Sequence, residues 1–350
     1  QVCHSWGWGQ WGWYTFMLRI VYDPATRTPA TAAITSPVDG STLTANPTIA
    51  IDAESARGID RVDVLGRYLD YDHDGDGVFE EWQQSYHLLP GDDAMILRDH
   101  VGTARVFPYE VDWDTSWIPD QVDGTIEFVA RVKDADGLWT VTDRVGGLSL
   151  ERPAVNVTLY EPRNVGEKYW VRDGATKSSR VQLPGDDSLD DAVAARILTR
   201  TWNGNNAGAG PGETASTTLN GWTLPPHGVG YAYSIDAIDV PVGELQSGVN
   251  TFTSTSASVG HGVEIMWPGP AVLVRYEDYS TTPAFVVAAP EPAFALEGSD
   301  VTFEVDARGA DPITYQWQRD GVDIAGATEP VLTLAGVTTA DDGASLRCVV

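Results

Sequence analysis

Short apolar runs broken by Gly, Pro, Asn and Asp recur along the whole chain, and most alternate with polar residues at a period of two. That period marks half-buried β-strands, because successive strand side chains point to opposite faces. Thr48-Ile49-Ala50-Ile51-Asp52-Ala53 is a clear case, with Ile49 and Ile51 on one face. Ile59 to Leu65, Phe107 to Trp113 and Thr125 to Lys133 repeat the pattern. Further strands are predicted at Ala194 to Thr201, Ser234 to Val240, Leu245 to Phe252 and Ala271 to Tyr276. Helical periodicity is nearly absent. The best helix candidate is the short stretch Ser188 to Ala195, which Asp187 or Ser188 can cap. The predicted fold class is therefore all-β, built as tandem β-sandwiches.

Turn-rich and Pro/Ala/Thr-rich stretches divide the chain. Residues 1–29 read as one strand, Trp13 to Tyr22, closing a domain that lies upstream, followed by a linker. Residues 30–152 form a first sandwich with an acidic insertion at about 66–101. Residues 153–279 form a second, 280–292 a linker, and 293–350 a third sandwich without its last strand. The chain starts at Gln1 and ends on Arg347-Cys348-Val349-Val350, which reads as mid-strand. The expectation is a stretch of a longer chain with further domains on both sides.

The order of strands in 30–152, from Ile34-Thr35-Ser36-Pro37 through Val129-Ala130-Arg131-Val132-Lys133-Asp134-Ala135-Asp136-Gly137, resembles the immunoglobulin-like repeats of large secreted bacterial proteins. In 153–279, Leu219-Asn220-Gly221 is followed by Leu245-Gln246-Ser247-Gly248-Val249-Asn250. That pairing is similar to galactose-binding-like jelly rolls, which implies an accessory module of a glycan-active protein. In 293–350, Tyr315-Gln316-Trp317 and Ala340-Asp341-Asp342-Gly343 leading to Cys348 resemble an I-set-like domain. The resemblance implies a buried Trp317, and puts Val305 where such domains carry the second cysteine of an inter-sheet bridge. Cys348 is then a small buried hydrophobe.

Composition narrows the partners. Lys and Arg number 22 against 50 Asp and Glu, a net charge of −28. Nucleic-acid affinity comes from cations on phosphates, so no nucleic-acid partner is expected, and an anionic membrane surface is excluded on the same ground. No apolar run is long enough to insert into a bilayer. Two cysteines, Cys3 and Cys348, make neither a disulfide scaffold nor a four-ligand zinc site.

The sharpest chemical motif is Asp70-Tyr71-Asp72-His73-Asp74-Gly75-Asp76-Gly77-Val78-Phe79-Glu80-Glu81. Carboxylates at every second residue of a tight turn converge on one point, the arrangement Ca²⁺ requires of its hard oxygen ligands. Two registers fit. From Asp70, the pattern D-x-D-x-D-G-x₅-E closes on Glu81 as the twelfth residue. From Asp72, Gly77 makes the turn, Phe79 is the apolar eighth residue and Gln83 comes last. The candidate metal ligands are Asp70, Asp72, Asp74, Asp76 and Glu81, with Ca²⁺ as a structural ion. Without a cation such a turn repels itself.

A second group of candidates lies in 153–279. His261 and Glu264 can face a ligand with Trp267 as a platform, and Trp202, Asn205 and Trp222 fall in loops of the same sandwich. The run Trp6-Gly7-Trp8-Gly9-Gln10-Trp11-Gly12-Trp13 either fills a core or offers flat faces to sugars. Its literal G-x-G-x-x-G precedes a strand, not a helix, so it is no dinucleotide site. Enzyme signatures such as H-E-x-x-H, G-x-S-x-G and a phosphate-binding loop are absent. The expected function is that of a non-catalytic extracellular or cell-surface region for adhesion or carbohydrate binding. Its immunoglobulin-like parts would serve as spacers, and its partner would be an extracellular glycan or a cell-surface protein. The alternatives are an accessory region of a polysaccharide-degrading enzyme, with its catalytic domain elsewhere, and a purely structural surface stalk.

Overall fold

The computed structural model describes residues 3–5, 11–13, 27–88, 95–163, 169–183, 189, 191–204, 215–230, 232–258, 262–266, 269–278, 284–310 and 312–350. Among them nearly all regular structure is strand, joined only by two 3₁₀ turns, Val242–Glu244 and Thr339–Asp341. The chain is a tandem of β-sandwiches. Near the start Cys3–Ser5 pairs antiparallel with Trp11–Trp13; the strand expected from Trp13 to Tyr22 lies, past Trp13, outside the described residues.

In the first sandwich, strands β1 (Thr31–Ser36), β2 (Thr48–Glu54), β3 (Ile59–Leu69), β4 (Glu80–Gln83), β5 (Tyr86–Leu88), β6 (Met95–Leu97), β7 (Gly102–Ala104), β8 (Tyr109–Asp112), β9 (Ile126–Asp134), β10 (Trp139–Val141) and β11 (Val145–Leu150) follow in order. One sheet runs β7-β3-β9-β11, with β4 extending β3 and β10 pairing with β9. The facing sheet is β8-β2-β1. The alternation read from the sequence is the core: Ile49 and Ile51 meet Val62, Val64, Phe128 and Ala130 across the two layers. Trp113 lies tilted against Tyr68 and edge-on to Phe128, with centroids 4.8 and 5.3 Å away. Each large apolar side chain buried here contributes on the order of 1.5–3 kcal/mol.

The insertion at 66–101 is built out of the sheet rather than hung from it. β3 runs on through Gly66 to Leu69 and β4 returns along it, Leu69 opposite Glu80. The acidic stretch 70–79 is thus the turn of a long hairpin, closed by the Asp70 N–H on the Phe79 carbonyl at 2.9 Å. A second hairpin, β5 with β6, follows before β7 rejoins β3.

The second sandwich has β12 (Val155–Tyr160), β13 (Tyr169–Val171), β14 (Ala175–Gln182), β15 (Ala192–Trp202), β16 (Ala215–Leu219), β17 (Tyr233–Val240), β18 (Val249–Ser256), β19 (Val263–Ile265) and β20 (Ala271–Glu277). One sheet is ordered β12-β20-β15-β19-β13 with β17 also on β15, and the other centres on β14-β18-β16. Ala192 to Ala195, expected to be helical, lie in β15. A helix of two turns is marginal by itself, and these residues are held by ladder bonds to β17 and β20, with Ala195 in the core. Tertiary pairing overrides the alanine-rich propensity.

The Asn-Gly turn does form: Asn220 (φ 51°) and Gly221 (φ 96°) both sit in the left-handed region of a primed hairpin turn. Its partner motif explains itself here. The Asn220 amide donates to Asn250 Oδ1 at 2.8 Å, and Asn220 Oδ1 accepts the Thr251 N–H. Asn250 is fully buried.

The chain divides into two compact units. Residues 1–152 with 156–276 form one, so the first two sandwiches share it. Residues 153–155 with 277–350 form the other. In the second unit β21 (Val301–Glu304) pairs β23 (Val331–Leu334), and β22 (Gln316–Arg319) pairs β24 (Leu346–Val349). Trp317 is fully buried against Val305 and Leu332, with its indole N–H on the Glu329 carbonyl at 2.9 Å. Cys348 is a free thiol in the pair position of Trp317, and burial pushes its pKa up.

Candidate metal centre at the sandwich junction

The hairpin turn folds around Asp72. Its carboxylate is fully buried and accepts the N–H groups of Gly75 (2.6 Å), Asp76 (3.3 Å) and Gly77 (2.7 Å). Gly75 and Gly77 have φ of 80° and 94°, which L side chains rarely adopt, so the two glycines permit the coil. Asp74 Oδ1 takes the Asp76 N–H, and Asp76 Oδ1 takes the Val78 N–H. Glu81 arrives from β4, opposite Tyr68. The result is a cluster of Asp72, Asp74, Asp76 and Glu81, with one carboxylate oxygen of each within 4.8 Å of the others. This cluster can hold a metal ion.

The geometry combines the two registers foreseen. The turn glycine is Gly77, as in the register from Asp72, but the closing acid is Glu81, as in the register from Asp70. Gln83 turns away and donates to the Tyr68 carbonyl at 3.1 Å. Asp70 lies outside the cluster: its Oδ1 accepts the Tyr71 N–H and its Oδ2 is 3.6 Å from His73 Nε2.

Crowding perturbs the acids. Burial, then repulsion from Asp74, Asp72 and Asp76, pushes the Glu81 carboxyl up to about 9. Burial raises Asp72 to about 6, against the pull of the Gly77 and Gly75 N–H groups. Asp74 is raised too, first by burial and then by Asp76. Left to itself Glu81 holds its proton at neutral pH and Asp72 and Asp74 ionise less readily than usual; a bound cation offsets the mutual repulsion.

The same turn is where the first sandwich meets the second. Tyr71, fully buried, donates its hydroxyl to the Gly269 carbonyl at 3.0 Å. Arg200 of β15 donates to the His73 and Asp74 carbonyls at 3.0 and 2.7 Å, so a cation from the second sandwich grips the turn between two ligand residues. Tyr71 packs with Val157, Leu198, Ala271 and Leu273, and Phe79 and Trp117 lie against this cluster. Arg196 covers the Trp117 ring at 4.2 Å. No short motif in the sequence marks Arg200 or Tyr71 as a junction residue. The run Ala271-Val272-Leu273-Val274 carried the signal: it does not alternate, and such a run marks a strand buried on both faces.

Of the predicted ligand contacts, Asn205, His261 and Trp267 lie outside the described residues. Trp202 is half-buried with its ring 5.9 Å from Trp170. Glu264 stands between these two in the strand register and is fully buried. Trp222 is half-buried against the core of its sandwich. The structure brings Trp202 and Glu264 together and keeps Trp222 apart in the other sheet.

Fold and site together define an all-β tandem sandwich protein with an acidic turn at an internal junction. No helix among the described residues is long and apolar enough to cross a membrane. No protein-family model matches the chain, and no curated protein matches it. Solved structures similar to it include a β-porphyranase of glycoside hydrolase family 86 from the human gut bacterium Bacteroides plebeius. That match has 11% identity and a TM-score of 0.28, and covers 66% of this chain and 34% of that one. Fibronectin(III)-like modules of Clostridium thermocellum CbhA match at 12% identity and TM-score 0.22, over 65% of this chain and 94% of theirs. An I-band fragment from titin matches at 11% and 0.17, over 92% and 93%. The chain spans about a third of the porphyranase.

Proposed function

We propose that this chain is a non-catalytic, extracellular adhesion or carbohydrate-binding region in which Ca²⁺ in the acidic turn fixes one sandwich against the next. The observation that carries the metal reading is the convergence of four carboxylates within 4.8 Å. Four carboxylates offer up to eight hard oxygens, which suits the six to eight ligands of Ca²⁺ better than the strict octahedron and retained waters of Mg²⁺. The position of the turn supports a structural role. An ion held by Asp72, Asp74, Asp76 and Glu81 would stiffen the backbone that Arg200 and Tyr71 tie to the second sandwich. The net charge of −28 and the absence of enzyme signatures fit an extracellular binding region better than a catalytic one.

Melting in 1 mM CaCl₂ and in EDTA tests this. At an ion concentration about a hundredfold above Kd, the native state gains about 2.7 kcal/mol, a rise in Tm of roughly 5 °C if the two sandwiches unfold together. Asp72→Asn with Asp74→Asn should abolish the difference. Identical melting of the unmutated chain in both buffers would sink the metal reading.

A further inference from the structure

The outer face of the first sandwich's larger sheet carries an arrangement that the metal centre does not use. Arg61 and Asp63 of β3, Arg131 and Lys133 of β9, and Trp139 of β10 fall in adjacent register positions: Asp63 opposite Arg131, and Lys133 between Arg61 and Trp139. Their sequence neighbours Val62, Val64, Ala130 and Val132 fill the core on the other face. The Trp139 indole has three cations around it, Arg61 at 5.0, Arg131 at 5.5 and Lys133 at 6.0 Å from the ring centroid, yet remains 43% exposed.

Two features set this face apart from the rest of the surface. The first is charge. The chain carries more than two acids per cation, but here three cations face two acids, Lys133 on Asp60 at 3.1 Å and Arg61 and Arg131 sharing Asp63 at 3.3 and 3.6 Å. Asp63 is itself partly committed, since its Oδ1 accepts the Thr103 hydroxyl. The second is imperfect pairing. Arg131 is 6% exposed; its Nη2 and Arg61 Nε face Asp63 Oδ2 at 3.6 and 3.3 Å without forming a hydrogen bond, and Arg131 Nε has no hydrogen-bond partner. Burying guanidinium N–H groups with so poorly placed an acceptor is costly. The aromatic faces of Trp139 and Tyr86 recover part of that cost, Tyr86 standing 5.8 Å from Arg131. The buried nitrogens are closed to solvent, but the half-buried ends of Arg61 and Lys133 can meet an anion, and guanidinium binds carboxylate and sulfate through charge-assisted, often paired, hydrogen bonds.

We propose that this face is a binding site for acidic saccharides. A pyranose ring lies on the exposed indole of Trp139, and its carboxylate or sulfate is drawn to Arg61 and Lys133, with Arg131 as the buried charge beneath. A single flat indole over cations favours a sugar ring over an acidic peptide, which would need a groove or a free sheet edge to order its backbone. The chain's overall negative charge does not forbid this, because charges more than about 8–10 Å away are screened at physiological salt. The proposal takes its ligand class from the carbohydrate-binding reading above and its location from this geometry alone; it does not depend on the calcium reading.

Titration calorimetry of the whole chain decides it, with four probes: a hyaluronan hexasaccharide, its carboxyl-reduced neutral form, a chondroitin sulfate hexasaccharide, and poly-glutamate. Expected are binding of one or both acidic saccharides, at least tenfold weaker binding of the neutral form, and weakening as salt rises from 50 to 300 mM. Trp139→Ala and Arg61→Ala should each weaken binding at least tenfold, and Lys177→Ala should leave it unchanged. Near-ultraviolet circular dichroism and an unchanged Tm check folding, and Trp139→Phe, which keeps a ring, should retain most of the affinity. The proposal fails if the folded chain binds no acidic saccharide, if it binds poly-glutamate equally well, or if Trp139→Ala binds like the parent. Binding of the neutral form untouched by Trp139→Ala would overturn this site while leaving a carbohydrate-binding function standing elsewhere.

Discussion

At the scale of single residues, the buried Asn250 and the half-buried Asn220 show how a short motif specifies local structure. Asn250 Oδ1 accepts from the Gln246 N–H and the Asn220 amide, and its own amide donates to the Gln246 carbonyl. One side chain thus closes the loop before β18 and anchors the turn after β16. Asn250→Ala leaves these groups buried without partners and should lower the stability of the first unit by about 2–3 kcal/mol in urea unfolding. Asn250→Asp should also destabilise, since it puts a carboxylate against the Gln246 carbonyl. The pairing of Asn220 with Asn250 was legible in the sequence as a spacing; that it is a hydrogen-bond network was not, because spacing does not fix side-chain direction. Trp317 is a similar case: its burial was expected from its neighbours, and the Glu329 carbonyl that satisfies its N–H was not.

Elements fix the environment of a group and so its titration. The turn Thr339–Asp341 in the second unit is held by a reciprocal cap, in which the Asp341 carboxylate accepts the Thr338 N–H and hydroxyl and also pairs with Arg319. The Thr338 N–H first, then Arg319, hold the Asp341 carboxyl below its usual range. Because the native state favours the ionised form, this contribution is present above the ordinary carboxylate pKa of about 4 and is lost as pH falls below it. Asp341→Asn should therefore lower the Tm of the second unit at pH 7 and lower it less at pH 3, as read by calorimetry at the two pH values. On the same scale, the acidic motif announced its own turn: carboxylates at alternate positions with Gly75 and Gly77 demand a tight coil whatever surrounds it. The choice of Glu81 over Gln83 was set by the hairpin, because β4 pairs with β3 in a register that brings Glu81 back to the turn and commits Gln83 to the Tyr68 carbonyl.

Over the whole molecule, the first two sandwiches share one compact unit, and Tyr71 and Asp72 of the acidic turn are buried where they meet. Leu198, on the face of β15 away from its own core, packs on Tyr71. The two sandwiches should therefore unfold in one transition; Leu198→Asp puts a charge into their contact and should split it into two, and Arg200→Met should do so more weakly, by about 1–3 kcal/mol of lost coupling. Scanning calorimetry on the full chain would resolve the two transitions, and a single undivided transition for Leu198→Asp would count against the junction as the source of cooperativity. If Ca²⁺ occupies the turn, EDTA should move the parent chain in the same direction.

The sequence by itself determined the all-β class, the strands with clean alternation, the acidic turn and the core tryptophan, since each follows from local periodicity or from conformations only glycine adopts readily. Tertiary structure decided the rest. Ala192 to Ala195 became strand because ladder partners outweigh propensity over so few residues. Glu264 became a buried residue because its strand lies inside a sheet. The acidic turn became a junction because Ala271 to Val274 offered an apolar second face that only another domain could cover. Such outcomes depend on which distant surfaces meet, and no window of sequence contains both sides of a contact.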